Sequence, residues 1–242
     1  TLLAKVLWII WRRMVKAMLR SANCVHAISE YEKNLLEKDF SISPVVIEHG
    51  VCKDVLQHRW NPRDYLIYAG RIEKYKRLDY VIRLVNKLRE YGMKLRLVIV
   101  GRGTYLPKML SLAKKLGIDL EHLDFLPRHE YLKWLSGAVA FINLSKHEAY
   151  SLTTLEAISI GVPTVVAKPW GEHFLDKGRI LVLDCLEKNL HYNAKALLIF
   201  LKEALSLCEQ GKHYIKLPLR PKLWKDVVHD YLAMLYNQTY NF

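Results

Sequence analysis

Apolar residues return along this chain in two rhythms, and the rhythm changes near residue 64. From there to residue 183, short continuous apolar runs alternate with longer stretches whose apolar positions recur every three or four residues. The runs predict strands at 65–69, 95–100, 139–143, 164–167 and 180–183, with a weaker one at 120–125. The amphipathic stretches predict helices at 78–91, 105–116, 128–135 and 153–160. Gly92, Gly117 and Gly161 stand where three of them should stop. Two more helices are expected at 193–208 and 222–236.

Upstream, residues 2–20 read as one helix, 24–28 and 45–47 as short strands, and 51–62 as a polar connection. Ser29-Glu30-Tyr31-Glu32 has the form of a capping box opening a helix to residue 38. Continuous apolar strands separated by amphipathic helices predict an α/β fold. Its parallel sheet would be Rossmann-like, with helices on both faces. Ligands of such sheets sit beyond the carboxyl ends of the strands, at the topological switch. The loops after residues 69, 100, 125 and 144 therefore matter most.

The first helix is unusual. At 100° per residue, Lys5, Arg12, Arg13, Lys16 and Arg20 share an arc of about 100°, and nearly everything else is apolar. Such a surface is expected to dock into another protein domain or to lie on an anionic membrane face. No run reaches the roughly 18–20 apolar residues of a membrane span. A cytoplasmic location is expected, with peripheral contact at the cytoplasmic membrane face through residues 2–20 as the alternative.

Composition changes the picture little. The 242 residues suffice for one or two domains, and the +13 net charge favours an anionic partner or a solvated basic surface. The basic residues are dispersed, without a nucleic-acid-binding motif, so no nucleic-acid partner is expected. Cys24, Cys52, Cys185 and Cys208 form no C-x-x-C pair, which fits reduced thiols. Abundant Lys and scarce Gln point to a thermophile. The chain opens on Thr1, as expected of a processed chain or a piece of a longer one.

Three loops carry candidate chemistry. Gly70-Arg71, followed by Lys76 and Asp79, joins a permissive backbone to a guanidinium fork and an ammonium, groups suited to a diphosphate; a solvated basic loop would read the same way. Gly101-Arg102-Gly103 lacks the third glycine of a dinucleotide fingerprint, since Leu106 holds that place, and reads equally as a strand-to-helix turn. Glu148 and Glu156 flank the expected helix start at 152–154, whose free N–H groups make an anion site. Two glutamates so spaced are also commonly surface charges. His173 is expected to be a surface histidine.

Together, and in this order, the segments resemble the family 4 retaining glycosyltransferases of GT-B architecture. Gly70-Arg71…Lys76…Asp79 is similar to the family's G-R…K-G-x-D segment, and Val100-Gly101-Arg102-Gly103 to its V-G-x-G turn. Phe125-Leu126-Pro127 resembles the loop framing the base. Glu148 to Glu156 resembles the E-x7-E motif, and Gly161-Val162-Pro163 the G-V-P after it. Ala27-Ile28-Ser29-Glu30 is similar to the V-S-E segment that closes the N-terminal domain, and Trp224 stands where the family often has a Trp.

The resemblance implies three regions. Residues 1–52 would be the tail of the N-terminal acceptor domain and 53–220 the nucleotide-sugar-binding domain, with 221–242 a helix packing back toward the former. Arg71 and Lys76 would hold the diphosphate beside Gly70, Gly101 and Gly103, helped by backbone from Tyr150 through Ser151, Leu152 and Thr153. Glu156 would take the ribose hydroxyls, Leu126 would sit by the base, and Glu148 would meet the sugar near its reacting carbon. The implied reaction moves a sugar from a UDP- or GDP-sugar to a glycan or lipid-linked acceptor with retention. It would need no metal and no cofactor, in keeping with the lack of an Asp-x-Asp pair. Ala149, Ser151 and Arg77 replace glycines common in the family, which bears on loop shape and on the sugar. By the same resemblance, most of the acceptor domain would lie outside this sequence. The chain would thus be a donor-binding fragment, or alternatively the donor-binding subunit of a split enzyme, inactive alone.

Overall fold

A computed structural model describes residues 2–184, 188–211 and 221–239. They divide into two compact units, 51–221 and 1–50 with 222–242. Cys185 and the segment 212–220 lie outside the described residues.

The larger unit is built on one sheet. Its strands are β3 (Tyr65–Ala69), β4 (Arg96–Val100), β5 (Leu120–Leu123), β6 (Ala140–Asn143), β7 (Thr164–Ala167) and β8 (Ile180–Leu183). The order is β5-β4-β3-β6-β7-β8, and every pairing is parallel. Helices α3 (Leu78–Glu90), α4 (Leu106–Leu116), α5 (Arg128–Ser136), α6 (Leu152–Ile160) and α7 (Leu190–Glu209) connect and flank the strands. α3 packs on α4 and α7, while α5 packs on α6, so the sheet is covered on both sides. Strand β3 is buried along its whole length, as a central parallel strand must be. The chain leaves β3 toward one edge and re-enters at β6 toward the other. That reversal opens the crevice between their carboxyl ends.

Most boundaries fall within two residues of the expected ones. The weak fifth strand ends at Leu123 rather than 125, and α7 begins at Leu190 rather than 193. Residues 51–62 are the larger correction. They hold a 3-10 turn, Lys53–Gln57, and bury Val51, Val55 and Trp60. The Trp60 indole donates to Ala138 O at 2.8 Å, and its backbone N–H to Ile160 O at 3.2 Å. Few apolar positions at no regular spacing looked like a linker, but each fills a core hole.

The smaller unit contains α1 (Leu2–Ser21), β1 (His26–Ala27), α2 (Glu30–Phe40), β2 (Val45–Val46) and α8 (Trp224–Thr239). β1 and β2 pair in parallel. The capping residues work as expected at one end: Ser29 Oγ accepts from Glu32 N–H at 3.1 Å. Glu32 reaches back one residue further than the usual box, to Ile28 N–H at 2.9 Å. On α1, Arg12 on the basic side meets Asp39 and Phe40 of α2, while Leu3, Leu7, Ile10, Trp11, Met14 and Met18 stay exposed. Among the described residues no helix is long and apolar enough to cross a membrane.

Candidate functional site

Lys76 and Glu148 are 72 positions apart in sequence, yet Lys76 Nζ meets Glu148 Oε1 at 2.5 Å, with side chains 10% and 15% exposed. Each is brought there by its own strand. After β3, Gly70 turns the chain and a 3-10 turn, Lys74–Lys76, carries the lysine inward. The turn is closed by Arg77 in the left-handed region, at φ 53°. A glycine would take that conformation without the Cβ cost that Arg77 carries. After β6 the backbone of Lys146 donates to Tyr75 O at 2.8 Å, tying the second loop to the first. Glu148 is thereby aimed at the ammonium.

Asn143, at the end of β6, organises this loop. Its amide donates to Ser151 Oγ at 3.1 Å and to Glu148 Oε1 at 3.3 Å, and its carbonyl accepts from Ser145 N–H. Ser151 is the N-cap of α6, accepting from Thr154 N–H at 3.3 Å and from its hydroxyl at 2.7 Å. By helix geometry the N–H groups of Leu152 and Thr153 have no intrahelical acceptor, so the positive end of α6 opens beside Glu148. Asn143 was not singled out from the sequence. Its one signal was a polar residue closing an apolar strand.

Arg71 is exposed at the mouth of the same turn. Its guanidinium lies 5.9 Å from the Tyr75 ring centre, and Lys76 Nζ lies 5.0 Å from it, so one ring carries both cations. Tyr68, beneath them, donates to Arg71 O at 2.7 Å; burial, reinforced by Glu148, pushes its hydroxyl far above the ordinary tyrosine range. It stays a neutral donor that shapes the loop.

Gly101 and Gly103 do their work against the neighbouring turn. A Cβ on Gly101 would lie 2.1 Å from Gly70 O, and one on Gly103 2.1 Å from Ile72 O. Ile72 N–H donates to Arg102 O at 2.7 Å, and Tyr105 N–H to Ile72 O at 3.0 Å. The absent Cβ atoms let the two turns interlock.

Leu126 is half-buried next to a Phe125 that is 79% exposed. Tyr150 packs at a tilt against His173 and Phe174, with centroids 5.2 and 5.5 Å apart. His173 is therefore not a surface histidine: it lies half-buried in this aromatic cluster, with Nδ1 against Trp170 O. Glu156 is set apart from Glu148. Its oxygens are held by Arg128 at 2.5 Å and Tyr131 at 2.9 Å. Nothing in the sequence spacing named either partner.

The site so assembled offers two cations, a helix N-terminus and one fixed carboxylate at the β3–β6 switch, with a second braced carboxylate, Glu156, further along α6. Residues 54–172 match the model of the family glycosyl transferases group 1. A GDP-mannose-dependent alpha-(1-6)-phosphatidylinositol dimannoside mannosyltransferase of Mycobacterium tuberculosis is 31% identical over 120 residues, 48% of this chain and 31% of that protein. A D-inositol 3-phosphate glycosyltransferase of Frankia alni is 33% identical over 119 residues, 45% of this chain and 29% of that protein. The chain thus spans under a third of the length of the curated relatives it matches.

Among solved structures, a sucrose-phosphate synthase of Thermosynechococcus elongatus superposes with TM-score 0.75 at 16% identity, covering 95% of this chain and 61% of that one. Anabaena HepE, in complex with UDP and glucose, does so with TM-score 0.70 at 12% identity, covering 90% and 64%. At such identities the likeness is one of fold. The sequence match and that fold together show a similarity: residues 54–172 resemble the glycosyl transferases group 1, on a Rossmann-like parallel sheet with helices on both faces.

Proposed function

We propose that the larger unit binds a nucleotide-diphosphate sugar and that the protein transfers the sugar, with retention, to a glycan or lipid-linked acceptor. The observation that carries this reading is the Lys76–Glu148–Asn143–Ser151 cluster at the switch between β3 and β6, with Arg71 at its mouth. An ammonium has three donors, and Glu148 engages one. The others, with Arg71 and the α6 N–H groups, face the charge that grows on a departing diphosphate, and being preorganised they need no reorganisation as it forms. In this reading they do so without a metal or cofactor. Glu148, fixed by Lys76 and Asn143, serves the donor sugar near its reacting carbon, while Gly70, Gly101 and Gly103 let the backbone approach. Leu126 frames the base, and Tyr150 closes the side toward His173.

A thermal-shift series with UDP, GDP, ADP and their sugars, with and without magnesium, tests the reading. A ligand of the folded state at a hundredfold its Kd adds about 2.7 kcal/mol, roughly 5–10 °C for a domain of this size. One nucleotide series should shift the transition equally with and without magnesium. Arg71→Ala should then weaken that nucleotide by about 10- to 150-fold, the worth of a charge-assisted hydrogen bond. No shift with any nucleotide would sink the donor reading.

The exposed stripe on α1 belongs to the same proposal. Its apolar positions continue round well over half the helix, more than one face lying on a membrane would use, and so favour burial against further protein. We assign it to docking within the acceptor-side domain of a longer protein. The protein should fail to float with anionic vesicles at low salt; flotation abolished by Trp11→Glu would replace docking with peripheral membrane binding.

A further inference from the structure

Glu156 is held from two sides by groups that the reading above leaves without a task. Arg128, the first residue of α5, gives Nη1 to Glu156 Oε1 at 2.5 Å. Tyr131, one turn later, donates its hydroxyl to Glu156 Oε2 at 2.9 Å. The opposite edge of Arg128 is occupied by Asp54 of the 53–57 turn, with Nε to Oδ2 at 3.0 Å. Asp54 is itself steadied by Val55 N–H at 2.8 Å. The guanidinium also lies over the Tyr131 ring, 5.8 Å from its centre. Arg128 and Tyr131 of α5, Asp54 of the 53–57 turn and Glu156 of α6 thus form one network from three separate elements.

The protonation states are set by the same contacts. Burial works against the charge on Arg128, but the hydrogen bonds to Asp54 and Glu156 outweigh it and raise its pKa. Burial, reinforced by the Glu156 charge, pushes the Tyr131 hydroxyl well above its usual range, so it remains a donor. Hydrogen bonding to Arg128 holds Asp54 below the usual carboxylate range.

A carboxylate oxygen accepts two hydrogen bonds, and a carboxylate about four. Arg128 and Tyr131 take one on each oxygen and lock the rotamer. Each oxygen keeps one acceptor direction, and the Glu156 side chain keeps 13% of its surface. Two parallel acceptors on one rigid group match a pair of adjacent hydroxyls.

We propose that Arg128 is a positioning residue for nucleotide recognition: with Tyr131, and itself held by Asp54, it fixes Glu156 so that its two remaining acceptor directions receive the 2′- and 3′-hydroxyls of the donor ribose. The proposal rests on the donor reading above and deepens it. It replaces a lone glutamate by a braced one, and it gives the turn at 53–57 a share in specificity.

The test is calorimetry on the protein with UDP and GDP and with their 2′,3′-dideoxy counterparts, which lack both hydroxyls. The wild type should prefer the ribonucleotide by about 10-fold or more, the scale of a hydrogen bond to a charged group. Arg128→Met and Tyr131→Phe should each collapse that preference to within about threefold while leaving 2′,3′-dideoxynucleotide affinity nearly unchanged. Retained dideoxynucleotide binding shows that the variant is folded, and Tyr131→Phe carries the test if Arg128→Met is not. Arg128→Lys, a point charge that cannot bridge two carboxylates, should fall between. An unchanged ribo-to-dideoxy ratio in the variants, or an equal loss for both nucleotides, overturns the positioning role and leaves the donor reading standing. A wild type that binds neither nucleotide defeats the donor reading itself.

Discussion

Replacing Lys76 by Met is expected to be the most damaging single change at the crevice, on two separate readouts. The ammonium and the Glu148 carboxylate meet at 2.5 Å with side chains only 10% and 15% exposed. Without the lysine, Glu148 keeps Asn143 at 3.3 Å as its amide partner in a largely desolvated place. Breaking a buried pair from one side costs about 3–5 kcal/mol, and the residual exposure here puts the expected loss near the lower end. The second readout is nucleotide affinity, which should fall by about 10- to 150-fold as one charged contact to the diphosphate is lost. The double variant Lys76→Met/Glu148→Gln separates the two. It removes both charges and should recover most of the stability without recovering the affinity. Urea unfolding of the four proteins in the cycle measures the coupling. Strictly additive stabilities would show that the ion pair contributes nothing to the fold.

Gly101→Ala is expected to cost about 4 kcal/mol, for a reason that lies in the backbone. Gly101 has φ 133°, and its added Cβ would meet Gly70 O at 2.1 Å. Relief requires moving one turn away from the other, against Gly101 N–H to Leu123 O and Gly70 N–H to Val100 O, both 2.9 Å. Strain of about 1–3 kcal/mol and overpacking of similar size add to that figure. For a domain of this size the unfolding midpoint should fall by roughly 8–16 °C. Gly92→Ala is the control. Gly92 also has positive φ, 86°, but nothing lies within 4 Å of the new Cβ. Its cost should stay at the 1–2 kcal/mol of a left-handed alanine. Equal costs at the two positions would remove the interlocking of the turns as the explanation. Because Gly70 opens the loop carrying Arg71 and Lys76, Gly101→Ala should also weaken nucleotide binding at temperatures where the variant is folded.

Much of the architecture was legible because it is written in local terms. Continuous apolar runs of four or five residues marked the buried strands. Spacing of three and four marked the helices, and Gly117 and Gly161 marked two C-termini, where the structure has left-handed caps. Ser29 was visible as an N-cap because capping is settled within one turn of helix. The parallel, doubly covered sheet followed from the alternation itself.

Three-dimensional structure alone decided which of these pieces meet. Trp60 sits in a segment with no periodicity, and only the sheet shows that it fills a core position against Ala138 and Ile160. Glu148 and Glu156 look equivalent in the sequence, eight residues apart, yet one meets a lysine and the other an arginine and a tyrosine. Gly101 and Gly103 suggested phosphate contact, and the structure shows their first duty to be passage for a neighbouring backbone. By itself the sequence determined the order and kind of the elements, the caps, and the presence of cations and carboxylates in the loops. Tertiary structure decided the strand order, the crevice at β3 and β6, and the pairing of every charge across it. The division has a physical cause: periodicity and capping act over a few residues, whereas an ion pair spanning 72 positions exists only after parallel crossovers have set two distant loops side by side.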